Sequence, residues 1–153
     1  MSNGLRLTHI AGMVIFLGSI FTFILISAFI ETASLENISF GRQIISSGTK
    51  VLTIPGMFAI AISGLWLGYI RYGFRHRFFL TKVLLISVIV INTIFFILPA
   101  VNSATEIAIK SLEQGVLLPE YKPAYMQESI FGAVNVFLAI VAAIMGVRSK
   151  KND

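Results

Sequence analysis

Four apolar runs, each about as long as a lipid bilayer is thick, divide a chain of only 153 residues. They are Ile10–Ile30, Val51–Ile70, Val83–Val101 and Ile130–Val147. At roughly 18–21 residues, each spans about 27–32 Å as helix, the depth of a hydrocarbon core. Backbone groups find no water there, so each run is predicted to be helical throughout. The sequence therefore predicts an all-α polytopic membrane protein. Its single domain, residues 1–153, holds four transmembrane helices in a compact antiparallel bundle, with helix extensions on the outer side.

Composition supports a lipid environment. Apolar residues make up 56% of the chain and charged residues 12%, against about 45–50% and 25% in soluble domains. The formal charge of +5 has no aromatic stacking platform beside it, so no nucleic-acid partner is expected. Cysteine is absent, which excludes disulfides, thiolate metal sites and thiol nucleophiles. The first run, though preceded by Arg6, exceeds the roughly 7–15 residues of a signal-peptide core and lacks a small-x-small cleavage site. It is expected to remain as the first span.

The charges sort by side. Arg6, Arg71, Arg75, Arg77, Lys82, Arg148, Lys150 and Lys151 share one side with a single acid, Asp153. The other side holds Arg42, Lys50, Lys110 and Lys122 beside Glu31, Glu36, Glu106, Glu113, Glu120 and Glu128. The positive-inside rule predicts both termini and the Arg71–Thr81 loop to be cytoplasmic. On the outer side, Ser39–Lys50 is expected to run as helix into the second span and bend near Pro55. Ser103–Glu113, with helical spacing at Ile107 and Leu112, continues the third helix past Pro99; Gly115 stops it, and Pro119 and Pro123 break the return. These extensions are expected to form a solvated acidic cap.

Small residues mark packing faces. Gly132, Asn135, Ala139, Ala142 and Gly146 line one face of the fourth helix; Ala61, Gly64 and Gly68 make a shorter seam on the second. The Gly-x-x-x-Gly within it is also compatible with a homodimer or a larger membrane complex. Gly12, Gly18, Ser19 and Thr22 give the first helix a small, slightly polar face. Asn92 and Asn135, costly in lipid unless paired, are expected as structural polar residues that fasten two helices, with a cavity lining as the other role.

Two histidines have different settings. His76, in Arg75-His76-Arg77, is expected to be solvated or at lipid headgroups. His9 opens the first span, with Gly12 one turn on leaving room beside the imidazole and Met13 at i+4. It is compatible with an interfacial anchor, an axial haem ligand or part of a soft metal site. Lys82, at similar depth on the third helix, either snorkels or neutralises a carboxylate of a bound tetrapyrrole, assisted by Arg71, Arg75 or Arg77. The sixth position on such an iron would be empty, taken by Met13 or Met57, or filled across a dimer.

Leu7-Thr8-His9-Ile10, Ile54-Pro55-Gly56, Ser63-Gly64-Leu65-Trp66-Leu67 and Thr81-Lys82-Val83-Leu84-Leu85 resemble a loose group of small bacterial membrane proteins. The group comprises membrane-type protoporphyrinogen oxidases of haem synthesis, copper-resistance D-like proteins and an uncharacterised family of predicted integral membrane proteins. Leu98-Pro99-Ala100 and Ile130-Phe131-Gly132-Ala133-Val134-Asn135 bring the chain nearest the last. The resemblance covers most of the chain through short motifs. It implies a bacterial inner-membrane location, with His9 and Lys82 matching the oxidases' first-helix histidine and third-helix lysine, which are implicated in binding haem. If the chain is an enzyme, the resemblance implies an oxidoreductase of protoporphyrinogen-oxidase type. The chain departs from the oxidases in three places: Asn92 stands near the position of a further third-helix histidine, Phe78-Phe79 replaces a tryptophan before the lysine, and an Asn-Glu-x-Pro feature near the fourth helix is missing.

Gly-x-Ser-x-Gly, P-loop and His-Glu-x-x-His signatures are absent, and no carboxylate lies within the four apolar runs. Three function classes stand. One is a binder of haem b or a related tetrapyrrole with a redox role, held by His9, Lys82, Met13 and Arg71. Another is a scaffold or accessory subunit without a cofactor. The third is a small transporter, for which Asn92 and Asn135 make a poor polar path.

Overall fold

The computed structural model describes residues 3–149, and in them the chain is an all-α membrane bundle. Lys150, Lys151 and Asp153 of the charge pattern, and Ser2, lie outside the described residues. Among the described residues, four helices are long and apolar enough to cross a membrane. The first is α1 (Asn3–Ile30). The second runs unbroken from Leu35 to Tyr72 as α2 (Leu35–Gly48), a π-helical turn (Thr49–Thr53) and α3 (Ile54–Tyr72). The third runs from Arg77 to Gln114 as α4 (Arg77–Asn92), a second π-helical turn (Thr93–Ile97) and α5 (Leu98–Gln114). The last is α6 (Tyr121–Ser149).

At 38 residues, each middle helix reaches about 57 Å, nearly twice a hydrocarbon core. Both project at the same end of the bundle, where α2 packs on α5 to form a cap. Chain chemistry sets the ends. The Ser34 hydroxyl accepts the Asn37 N–H to cap α2, and Gly115, at φ +72°, closes α5 in the left-handed conformation that glycine adopts freely. His76 caps α4, its Nδ1 accepting the Phe78 N–H at 3.3 Å. This local role is more specific than the solvated one expected for it. Pro123 does not break the return. It sits in the first turn of α6, where its missing N–H has no helical partner to lose.

The two π-helical turns share one cause. Pro55 and Pro99 stand at the start of α3 and α5, and a proline ring clashes with the carbonyl four residues earlier. Widening the preceding turn to i→i+5 bonds accommodates the ring. Ile54 N–H accordingly reaches the Thr49 carbonyl, and Leu98 N–H reaches that of Thr93. The helix thus continues through each proline by way of a π-helical bulge.

Within the spans, α1 lies on α3, α3 on α4, and α4 on α6. Phe16, Met57 and Ile89 meet at mid-depth, with Leu138 and Ala139 packed on them. The small-residue face of α6 turns inward there: Asn135 is buried and Ala139 and Ala142 are half-buried, whereas Val134, Phe137 and Ile140 face out. The α3 seam is used inside the chain, because Gly64 lies against His9 and Gly68 against Phe79. The Gly-x-x-x-Gly match is therefore accounted for without a second copy.

The cap carries its glutamates Glu31, Glu36, Glu106, Glu113 and Glu120 on an exposed surface, as expected, and has a packed interior beneath them. Ile38, Ala104, Ala108 and Tyr121 form one buried cluster, and Ile30, Ile45 and Val101 another. Within α5 the buried stripe is Ala100, Val101, Ala104, Thr105, Ala108 and Ser111, while Leu112 points outward. Alanine spacing, which lets α2 approach closely, sets that face.

Candidate functional site

The end of the bundle that holds the chain's first and last described residues also holds His9 and Lys82. The imidazole turns from α1 toward α3, placing Nδ1 3.0 Å from Ser63 Oγ. The Ser63 hydroxyl also reaches the Ala59 and Ile60 carbonyls one turn back. Where Ser63 Oγ accepts from His9, the ring proton sits on Nδ1 and Nε2 is the free donor atom; where it donates, Nδ1 is the acceptor. Metal-binding histidines are oriented in this way, by a partner on the other ring nitrogen. Gly64 makes room for the ring: a Cβ there would lie 2.8 Å from His9 Cε1.

Lys82 comes from α4. Its Nζ stands 5.1 Å from the centre of the Phe78 ring and 3.3 Å from where a Cβ on Gly146 of α6 would be. It is near enough to His9 for the two to interact electrostatically. Two cationic or basic groups from separate helices thus share one neighbourhood. Met13 is half-buried one turn along α1 from His9. Arg71 is exposed at the end of α3, 5.3 Å from the Tyr72 ring. Met57 is not part of this group, since it is buried in the mid-depth cluster.

One expectation is corrected. The room anticipated beside Gly12 is filled by α3, for a Cβ on Gly12 would meet Ala59 Cβ at 3.0 Å, Ile60 N at 3.1 Å and the Gly56 carbonyl at 3.2 Å. Gly12 is a helix-contact residue. The donor set suits a tetrapyrrole iron and its carboxylates, and on the Gly12 side an open cleft is lined by Leu7, Ala11, Gly12, Val51, Pro55 and Gly56. Among the described residues no three His, Cys, Asp or Glu side chains gather as a metal cluster.

The asparagines meet in mid-bundle. Asn92 Nδ2 donates to Asn135 Oδ1 at 2.7 Å and to the Phe131 carbonyl at 2.9 Å. Asn135 Nδ2 donates to Thr93 Oγ1 at 2.7 Å and to the Ile89 carbonyl at 3.3 Å. The network links α4, the second π-helical turn and α6, and it leaves neither amide nitrogen idle. The first π-helical turn has a smaller counterpart, where Ser19 of α1 and Thr53 share a 2.8 Å hydrogen bond. Asn135→Ala should lower detergent stability by about 0.5–2 kcal/mol, in the range of interhelical bonds in lipid. A thermal unfolding series checks this, with exposed Ser129→Ala as the reference.

A site that sequence reasoning missed lies in the cap. Arg42 of α2 is fully buried and pairs through Nη2 with Glu128 of α6. The Thr105 hydroxyl of α5, 2.7 Å from the Val101 carbonyl, also lies 3.2 Å from the Arg42 carbonyl, and Tyr121 interacts electrostatically with both charges. Guanidinium Nε and Nη1 have no hydrogen-bond partner. The available signal was the spacing Ile38, Arg42, Ile45, which sets an arginine within the apolar stripe of α2.

No protein-family model, curated protein or solved structure matches the chain.

Proposed function

We propose that this is a multi-pass protein of the bacterial cytoplasmic membrane that binds haem b or a related tetrapyrrole at its His9–Lys82 end and acts in electron transfer. The observation behind this reading is the 3.0 Å contact of His9 Nδ1 with Ser63 Oγ, which fixes the ring and leaves Nε2 as its other nitrogen. In this reading His9 would hold the iron through Nε2, with Met13 and Lys82 beside it. Lys82 balances a carboxylate, with Arg71 nearer the headgroups. Haem iron held there would supply one-electron chemistry. Purified protein from haem-supplemented cells should show a Soret band that His9→Ala largely removes and Lys82→Ala weakens less. A supplemented preparation without Soret absorbance, or a band unchanged by His9→Ala, refutes the site.

The second reading is a cofactor-free scaffold or accessory subunit. It is favoured by the closed Asn92–Asn135 network and by the close Gly12–Gly56 approach, both of which join helices. The same spectrum decides between the two.

The proposed orientation has both termini in the cytoplasm and the α2–α5 cap outside, following the lysine and arginine bias. With single cysteines at Ser2, Ser47 and Glu113, an impermeant maleimide should label the last two from outside intact cells and spare the first. Labelling of Ser2 alone reverses the orientation.

A further inference from the structure

We propose that Arg42 is the receptor for a small carboxylate ligand, with Glu128 as a built-in occupant that the ligand displaces. The site lies in the cap, at the opposite end from His9, and does not depend on the proposed tetrapyrrole. A guanidinium presents five N–H groups, and carboxylates bind it best through two parallel bonds along one edge. Glu128 instead meets it at Nη2 alone, through one oxygen. Nε and Nη1, one on each flank of that contact, are left without acceptors at a side chain that is 0% exposed. Burying such donors unmade is costly, and native structures rarely leave them so.

The two partners differ in freedom. Arg42 is held between helices, its side chain fully buried and its backbone carbonyl facing the Thr105 hydroxyl of α5. Glu128, at 15% exposure, already reaches the surface, so it can turn to water without being stranded. A free carboxylate entering behind it would take an edge of the guanidinium with two bonds and restore the charge balance that Glu128 provided. A neutral acceptor such as water would fill the open donors without replacing the charge. A phosphate dianion would add surplus negative charge near Tyr121, which already feels Glu31 as well as Glu128. The tight packing of Ile38, Ala104, Ala108 and Tyr121 beside the pair restricts the ligand to the size of formate or acetate.

The test is thermal unfolding of the purified full chain in detergent, titrated with sodium formate or acetate against sodium chloride at equal ionic strength. A ligand that binds only the folded state raises the unfolding temperature with its concentration. Wild type should show a carboxylate-specific rise. Glu128→Gln, which keeps the shape but removes the competitor, should show it at about tenfold lower concentration or less. Arg42→Met should show none. The proposal is overturned if formate and acetate act like chloride on wild type, if the rise is confined to Glu128→Gln, or if Arg42→Met responds equally. Should Arg42→Met fail to fold, wild type against Glu128→Gln still decides.

Discussion

Gly56→Leu should prevent stable assembly of the bundle, a loss at or beyond the upper end of the roughly 1–3 kcal/mol that overpacking a tight core costs. A Cβ at Gly56 would lie 2.9 Å from Phe16 N and 3.2 Å from Phe16 Cα. These are backbone atoms of α1, so no rotamer change relieves the clash. The opposing residue is equally confined, because Gly12 faces the Gly56 carbonyl and Ile60 N. The helices would have to separate, opening the Phe16–Met57–Ile89 cluster beneath them. Gly18 supplies the control. Nothing lies within 4 Å of a Cβ there, so Gly18→Leu should keep the wild-type unfolding temperature. Size-exclusion profiles and thermal unfolding in detergent check both variants, and equal behaviour would remove the argument from close backbone approach.

Gly12 also shows how far the sequence could be read. A glycine near a membrane boundary is visible in the chain, but whether its missing side chain leaves a cavity or admits a neighbour depends on the facing helix. Here Gly56, Ala59 and Ile60 fill the space. Hydropathy alone gave the four spans, since lipid leaves the backbone one economical conformation. The asparagine pair was foreseeable because each amide is expensive in lipid unless it meets another polar group. The π-helical turns were not. Proline announces a disturbance of the helix, but not the widened i→i+5 turn by which the chain accommodates it. His9 and Lys82 drew notice by matched depth, yet the Ser63 bond that orients the imidazole crosses 54 residues of sequence. The Arg42–Glu128 pair, separated by 86 positions, was concealed by a tally of charges that treated every ionic residue outside the spans as solvated.

That concealed pair gives the second large effect. Glu128→Ala should destabilise the cap by about 3–5 kcal/mol, because it leaves an uncompensated charge on a guanidinium that has no exposure to water. Arg42→Met alone should cost less, for the glutamate it leaves behind can turn to the surface from its 15% exposed position. Combining Arg42→Met with Glu128→Leu should recover most of the loss, since apolar side chains of similar volume replace a buried pair at little net cost. The asymmetry between the single variants is the informative quantity. An exposed ion pair would give small and similar losses of roughly 0–1 kcal/mol from either side. A pair anchored on one buried partner gives a large loss only when the mobile partner is removed. Chemical denaturation of the four proteins closes this cycle. Equal, small losses in the single variants would show that Arg42 reaches water after all, and the cap would then lose its one buried charge as an organising element.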